Sequence, residues 1–342
     1  METSYFRVNT LVPELFDQRD VQVIADLVAA SEDSYWQEWW NSDKWMTEDP
    51  SAPIGVVWNN ETPKRITELS LGGGFDSPIE SVNVEALDCL ETLSLLNYYN
   101  VKEIVLPQET GRLRTLILSG LTNLESLIVS PYTELETLDI SYYYKPFTCD
   151  VSNNKKLKEL NANGTELAPI EMTSPEIAAQ LMVYGVPDGV GTIDLNNFPA
   201  LKQLYPNSSM MFSDVLNPRQ MEPLDGSYQR GPRVGTVRGL STPYGATLSF
   251  PDEMNIAGVV STVSWYNQDL SSIGELMLVG SGNSYTLSND LDADSYLEAR
   301  IENSLFPGWI LTPYTYVYTC DGDANLDKMV NIADVTATVS WI

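Results

Sequence analysis

Between residues 66 and 206 one hydrophobic template recurs: apolar, two variable positions, apolar, one variable position, apolar. ITELSL, LETLSL, LRTLIL, LETLDI and LKELNA carry it, and their central apolar residues are Leu69, Leu93, Leu116, Leu138 and Leu160, spaced 24, 23, 22 and 22 residues apart. Steps of 22 extend the series to Met182 in AAQLMVY and to Leu204 in LKQLYP, giving seven rungs. A second, interleaved series runs through Val82, Ile104, Leu127 and Cys149, with Ile193 a further 44 residues on. Two short extended segments in every period of about 22 residues predict a flattened coil with strands on both faces. One such turn cannot bury its apolar edge alone, so the turns must stack into a shared core and the ends need covers.

The pattern changes on either side of this ladder. Ahead of it, Val21, Ile24, Leu27 and Val28 have helical spacing, with Asp17 or Asp20 available as the N-cap. Trp36, Trp39, Trp40, Trp45 and Trp58 follow, five of the chain's eight tryptophans. Indoles can stack on sugars, but rings of this size at the open end of a solenoid are expected to close its core. After residue 206 the period collapses into a stretch rich in Pro, Gly, Ser and Asn. Short alternating runs then follow, among them TVRGL, ATLSF, STVSWYN, GELMLV, SYTL, SYLEARIE and YTYVYT, which predict a small β-sandwich.

Template and period together resemble leucine-rich repeats in a bacterial (Bacteroidetes-like) secreted style, with DVSNNKKLKELNANGTEL carrying the typical turn and asparagine positions. The leading segment resembles the N-terminal cap of such proteins, without the cysteine pair often found there. The alternating runs resemble an immunoglobulin-like domain, in which Trp265 of VSWYN would be the core tryptophan and Tyr296 the corner tyrosine, with the flanking cysteines missing. The expected fold class is therefore a leucine-rich-repeat solenoid of about seven repeats, then an immunoglobulin-like β-sandwich and a short EF-hand-like loop and helix. The expected divisions are a cap over 1–65, a solenoid over 66–215, a linker over 216–232, a sandwich over 233–320 and a tail over 321–342.

The tail reads CDGDANLDKMVNIADVTATVSWI. Aligned from Asp323, it places Asp323, Asn325, Asp327, Met329, Asn331 and Asp334 at the first, third, fifth, seventh, ninth and twelfth positions of an EF-hand-type loop. Alternate oxygens in a curled loop can converge on one calcium ion, the seventh position through its backbone carbonyl. Lys328 occupies the sixth position, where glycine eases the sharp turn. The segment resembles one half of a dockerin module, which implies Ca2+ as a ligand and a cohesin-type domain as a partner.

Charge narrows the function classes. There are 19 basic and 47 acidic residues, a net charge of −28, and no histidine. Such a chain repels nucleic acid and anionic lipid surfaces. Without histidine, a triad in its usual form is excluded, and no nucleophile–base pair or phosphate-binding loop stands out. Cys89, Cys149 and Cys320 form neither a metal pattern nor a disulfide framework and are expected as buried thiols. No apolar run is long enough to span a bilayer, so a transmembrane protein is not expected. The opening METSYFRVNT has no basic segment followed by an apolar core, so the protein is either cytoplasmic or has lost its leader; the acidity and the tail favour the second, an extracellular or cell-surface protein.

The candidate binding face is set by the variable positions of each rung: Glu68 and Ser70; Thr92, Ser94 and Leu96; Thr115, Ile117 and Ser119; Thr137, Asp139 and Ser141; Glu159, Asn161 and Asn163; Gln203 and Tyr205. The aromatic runs NYYN and SYYYK follow the second and fourth rungs, and with Tyr132 they suggest a rim patch. The candidate binding residues are Tyr98, Tyr99, Tyr142, Tyr143, Tyr144, Asp139, Asn161 and Tyr205, with about half of the tyrosines expected to serve as spacers between turns instead. The expectation is a non-catalytic binding protein that takes a protein or a glycan on its repeat face. The alternative is an accessory component of a polysaccharide-degrading assembly, recruited through cohesin–dockerin pairing.

Overall fold

Each rung of the template becomes a short strand because its alternating apolar side chains can be buried only against the rungs before and after it. The computed structural model describes residues 15–42, 44–46, 53–72, 74, 76–167, 174–224, 237–240, 247–249, 252–266, 278–281, 284–287, 296–311 and 314–317. The expected calcium loop, Asp323 to Asp334, lies outside the described residues, as does Cys320. The contacts divide the chain into two units: Met1–Gly189 with Asn197–Leu201, and Val190–Asn196 with Lys202–Ile342.

In the first unit the long sheet is built from β2 (Ile66–Leu71), β4 (Thr92–Leu96), β6 (Thr115–Ser119), β8 (Thr137–Asp139), β10 (Glu159–Asn161) and β12 (Val183–Gly185), neighbours in that order. All run parallel, and their register aligns Leu69, Leu93, Leu116, Leu138, Leu160 and Tyr184 in one row. The five leucines of that row are at most 1 % exposed, a continuous apolar spine. The first five rungs fall where the template places them; the sixth does not. Tyr184, not Met182, takes the inward position, because the short helix α3 (Pro175–Ala178) lengthens that turn. Tyr184 fills the wider space by stacking on Phe198, ring centroids 5.3 Å apart.

The interleaved series forms the opposite face. β3 (Ser81–Asn83) pairs with β5 (Glu103–Val105), and β7 (Ser126–Leu127) pairs with β9 (Pro146–Cys149), which pairs in turn with β11 (Glu166–Leu167). Their registers set Val82 beside Ile104 and Leu127 beside Cys149. The asparagine in DVSNN, Asn154, is fully buried and donates to the carbonyls of Val129 (2.9 Å) and Tyr132 (2.8 Å), tying one turn to the previous one. Cys89 and Cys149 are buried and free, and burial pushes the Cys149 thiol up to about 12, so it is inert at neutral pH.

The solenoid is closed at its start by α1 (Gln18–Ser31), α2 (Ser34–Asn41) and β1 (Ile54–Trp58), which pairs antiparallel with β2. Asp17 is the N-cap of α1, its side chain accepting from the Arg19 amide. Trp36, Trp39, Trp45 and Trp58 are buried, and Phe16 meets Trp58 edge-on at 4.7 Å. The Trp58 indole donates to the Trp45 carbonyl at 3.1 Å. The tryptophans therefore serve as core, which removes most of their faces from any sugar-stacking role.

The second unit contains β13 (Ile193–Asp194), β14 (Gln203–Tyr205) and β15 (Val215–Leu216), with β13 and β15 in parallel register. Asn207 repeats the asparagine tie, donating to the Val190 carbonyl at 2.8 Å. The part of the expected linker that is described is held in place: the Met221 amide donates to the Leu305 carbonyl (2.9 Å) and the Leu224 amide to that of Pro307 (3.1 Å). Phe212, Phe306 and Trp309 form one buried cluster beside this segment. The buried Glu253 accepts from the hydroxyl and amide of Ser213, while burial pushes its carboxyl above its ordinary range. Two further sheets follow. β16 (Val237–Leu240), β25 (Tyr314–Val317), β23 (Tyr296–Glu302) and β20 (Thr262–Tyr266) neighbour one another in that order, with β24 (Ile310–Leu311) also paired to β23, and β17 (Thr247–Ser249), β22 (Ser284–Leu287) and β21 (Leu278–Ser281) form the other. A short hairpin pairs β18 (Asn255–Ile256) with β19 (Val259–Val260). Trp265 pairs in register with Ala299, and Tyr296 with Tyr316.

Candidate rim site on the solenoid

The long sheet leaves two rows of side chains outside the core. One runs Glu68, Thr92, Thr115, Thr137, Glu159, Val183 and the other Ser70, Ser94, Ile117, Asp139, Asn161, Gly185, as the strand registers dictate. Asp139 and Asn161 are brought together by their shared register, the Asn161 amide donating to Asp139 Oδ2 at 3.0 Å. Asp139 Oδ1 accepts from the Ser141 amide at 2.9 Å and its hydroxyl at 2.6 Å. The Ser119 and Ser141 hydroxyls bond to each other at 2.9 Å. Both carboxylate oxygens of Asp139 are thus engaged inside the row.

Where the chain leaves this sheet after β4, β6, β8 and β10, the backbone passes through the left-handed region. Asn97 (φ 60°), Gly120 (75°), Tyr142 (63°) and Gly164 (67°) occupy that place in successive turns. Asn97, Gly120 and Tyr142 donate to the carbonyls of Ser119, Ser141 and Asn163, which carries the ladder one step past the strands. Glycine suits this conformation, and asparagine tolerates it. Tyrosine does not, at about 1–2 kcal/mol per residue, yet Tyr144 also sits at φ 55°. The two strained tyrosines flank one that turns inward.

The aromatic patch expected from the sequence is therefore divided. Tyr98 and Tyr143 are 1 % exposed and belong to the core, with the Tyr143 ring against Phe147 at 4.4 Å. Burial pushes the Tyr98 hydroxyl up to about 12 and that of Tyr143 well above its ordinary value. Tyr132 is buried too, its hydroxyl donating to the Pro107 carbonyl at 2.8 Å. These side chains are spacers between turns and offer no surface to a ligand. Tyr99 is 37 % and Tyr144 71 % exposed, and Tyr142 is half-buried. Tyr142 and Tyr144 stand 6.0 Å apart at 42°, both rings over Gly164, where a Cβ would come within 3.1 Å of Tyr142. Tyr205 lies on β14 of the second unit and is half-buried.

Asp188 is a member of this rim that the sequence reading passed over. Burial first, then the charges of Tyr142, Tyr99 and Asp188, raise the Tyr144 hydroxyl above its ordinary value. The signal was present in the turn VPDG, whose Asp188 amide donates to Thr165 at 3.0 Å and so follows the ladder into the next turn. Among the described residues no group of three or more Cys, Asp or Glu is placed to hold a metal ion, and no helix is long and apolar enough to cross a membrane.

No family model matches the chain, and no curated protein does. Among solved structures it is similar to the functional domain of InlJ from Listeria monocytogenes, described as including a cysteine ladder, at 19% identity with a TM-score of 0.34. That match covers 73% of this chain and 48% of the other, so the chain spans about half the length of that structure.

Proposed function

We propose that the solenoid is a non-catalytic recognition scaffold that binds a protein partner through the rim of Tyr99, Tyr142 and Tyr144 and the polar rows beside it. One observation carries this reading: Tyr142 holds backbone at positive φ where the turns on either side place Gly120 and Gly164, and Tyr144 holds it again two residues on. Strained residues persist where the surroundings over-determine them, and they gather at binding sites. Tyrosine gives large contact area at low entropic cost and is enriched at interface hot spots. Protein and glycan arrays probed with the wild type, Tyr144→Ala and Tyr142→Gly test this. Both variants should lose array partners at least about tenfold; Tyr142→Gly should melt at the wild-type temperature or higher because glycine relieves left-handed strain, and Tyr144→Ala, which keeps a Cβ, should melt close to the wild type. Partners retained by both variants would place the site elsewhere.

The remaining parts of the reading rest on narrower support. The neighbour orders β16–β25–β23–β20 and β17–β22–β21 are consistent with an immunoglobulin-like sandwich over 233–320, acting as a spacer. The tail over 321–342 rests on loop spacing alone: Asp323, Asn325, Asp327, Asn331 and Asp334 would offer side-chain oxygens to Ca2+ and Met329 its carbonyl. A cohesin-type attachment would place the protein at the cell surface or in a polysaccharide-degrading assembly. Calorimetric titration with calcium should reveal one site that is lost in Asp323→Ala; absence of heat from the wild type removes the calcium reading.

A further inference from the structure

Away from the tyrosine rim, α1 and β3 stand on either side of a groove of about 880 Å³. Gln22 and Asp26 line it from α1, and Ser81, Asn83 and Glu85 from the other side. Val23 and Leu27 give it an apolar strip. The α1 wall from Arg19 to Ala30 is about 17 Å long, enough for about five residues of extended chain. β3 pairs with β5 alone, so its other edge is open. The Lys102 amide donates to the Glu80 carbonyl (2.8 Å) and the Val84 amide to the Val105 carbonyl (2.9 Å), so the even-numbered positions turn their backbone toward β5. The N–H and C=O of Ser81 and Asn83 therefore point away from β5, and the same two residues line the groove. Among the described residues nothing bonds to those backbone groups. Asp26 accepts from Gln22 (2.7 Å) and Glu85 from Gln108, and among the described residues neither is in an ion pair. Arg19, which also lines the groove, is held by Asp17 (3.2 Å) and Asp88 (2.9 Å), and Lys102 beside β5 is held by Glu80 (2.8 Å).

We propose that this groove takes an extended segment of a partner protein, alternately apolar and basic, which adds as a strand to the open edge of β3. The surface is separate from the tyrosine rim and goes beyond the recognition role given above. Three features select this occupant. The backbone groups of Ser81 and Asn83 can be satisfied by another backbone whatever its sequence. Alternate side chains of an extended segment turn to opposite sides, so one set can cover the strip of Val23 and Leu27. The other set can then bring cations to the carboxylates of Asp26 and Glu85. A second copy of this chain fits poorly, because its net charge of −28 has the same sign as those carboxylates.

The test is calorimetric titration of the full chain with an acetylated, amidated Val-Lys-Val-Lys-Val peptide. Two derivatives carry backbone N-methyl groups, one on the lysines and the other on the valines. Only residues whose N–H faces β3 contribute, so one derivative should lose at least about tenfold in affinity while the other binds nearly as the parent does. Ser81→Pro, which removes an amide turned away from the ladder, should also lose at least about tenfold. Should that variant melt early, Ala30→Trp on the exposed side of α1 decides, since its ring fills the groove and should weaken binding to the same extent. Replacing both peptide lysines by glutamine should weaken binding about threefold. That difference should vanish in the double variant Asp26→Asn, Glu85→Gln and persist in Glu176→Gln, which removes a charge outside the groove. Absence of heat from the parent peptide overturns the proposal, as do equal losses from the two N-methyl patterns or binding that survives Ala30→Trp. A glutamine peptide as tight as the lysine one overturns the basic character of the partner. None of these variants touches Tyr142 or Tyr144, so the rim stands or falls separately.

Discussion

Asp20→Ala should cost about 3–5 kcal/mol of stability and should open the solenoid from its N-terminal end. Asp20 is fully buried, although it lies in the first turn of an amphipathic helix where a carboxylate would ordinarily face water. Its oxygens accept from Arg65 Nε at 3.1 and 3.2 Å, from Arg65 Nη2 at 3.0 Å and from the Ile66 amide at 2.7 Å. One side chain therefore joins α1 to the start of β2, where the cap meets the first rung. Burial pushes the Asp20 carboxyl up, while the Arg65 guanidinium and the Ile66 amide pull it back. Burial likewise works against the charge on Arg65, and Asp20 and then Asp17 overcome it. Removing the carboxylate leaves the buried Ile66 amide without its acceptor and the Arg65 guanidinium with only the longer carboxylate contacts to Asp17 (3.5 Å) and Asp88 (3.6 Å), which is the expensive way to break such a pair. Urea unfolding measures the loss, and hydrogen exchange locates it, with protection falling first at residues 54–58 and 66–71. Asp20→Leu combined with Arg65→Met should recover much of the stability, because the poorly compensated buried charge goes as well. A single-variant loss below about 1 kcal/mol, within the range of an ordinary surface ion pair, would mean that the buried tryptophans alone hold the cap.

How far the sequence could be read follows from which physical term decided each feature. The row Leu69, Leu93, Leu116, Leu138 and Leu160 is legible because stacking turns demand one period, and a single hydrophobic template reports it. The sixth rung slips by two residues because α3 adds length to its turn, and PEIA is too short for its helical period to stand out. Asp17 and Asp20 are equally plausible caps on paper. The choice between them depends on Arg65, which is distant in sequence, so no local pattern could make it. The tyrosines are the clearest case. NYYN and SYYYK place aromatics near the right edge of the sheet, but residue type cannot say which rings turn inward. That is fixed by left-handed backbone at Tyr142 and Tyr144, which drives Tyr143 into the core between them. The hint available was the glycine at Gly120 and Gly164, marking the same place in neighbouring turns. Asp188 escaped because it belongs to a turn with a different period, and it joins the rim only through stacking.

The same stacking makes Leu138→Ala the second large loss, about 2–5 kcal/mol. Leu138 is wholly buried on the three-residue strand β8, with Leu116 on one side and Leu160 on the other in direct register. Shortening it removes apolar area and leaves a void whose walls belong to three successive turns. In a globular core neighbouring side chains can shift to fill part of such a space, and the cost then falls toward the lower end of the range. Here each neighbour is itself fixed by a parallel ladder 22 residues away, as in the steps from Leu116 to Leu138 to Leu160. Collapse at one rung would therefore have to drag the others, and a loss in the upper half of the range is expected. The damage should also spread along the coil, lowering amide protection on β6 and β10 while β1 and β2 keep theirs, because each turn contacts chiefly its nearest neighbours. Tyr144→Ala, a few residues away on the exposed rim, removes a larger side chain and should change stability by no more than about 0.5 kcal/mol. If Leu138→Ala were as mild as that, the spine would have to relax independently at each turn, and the rigid presentation of the rim would lose its physical basis.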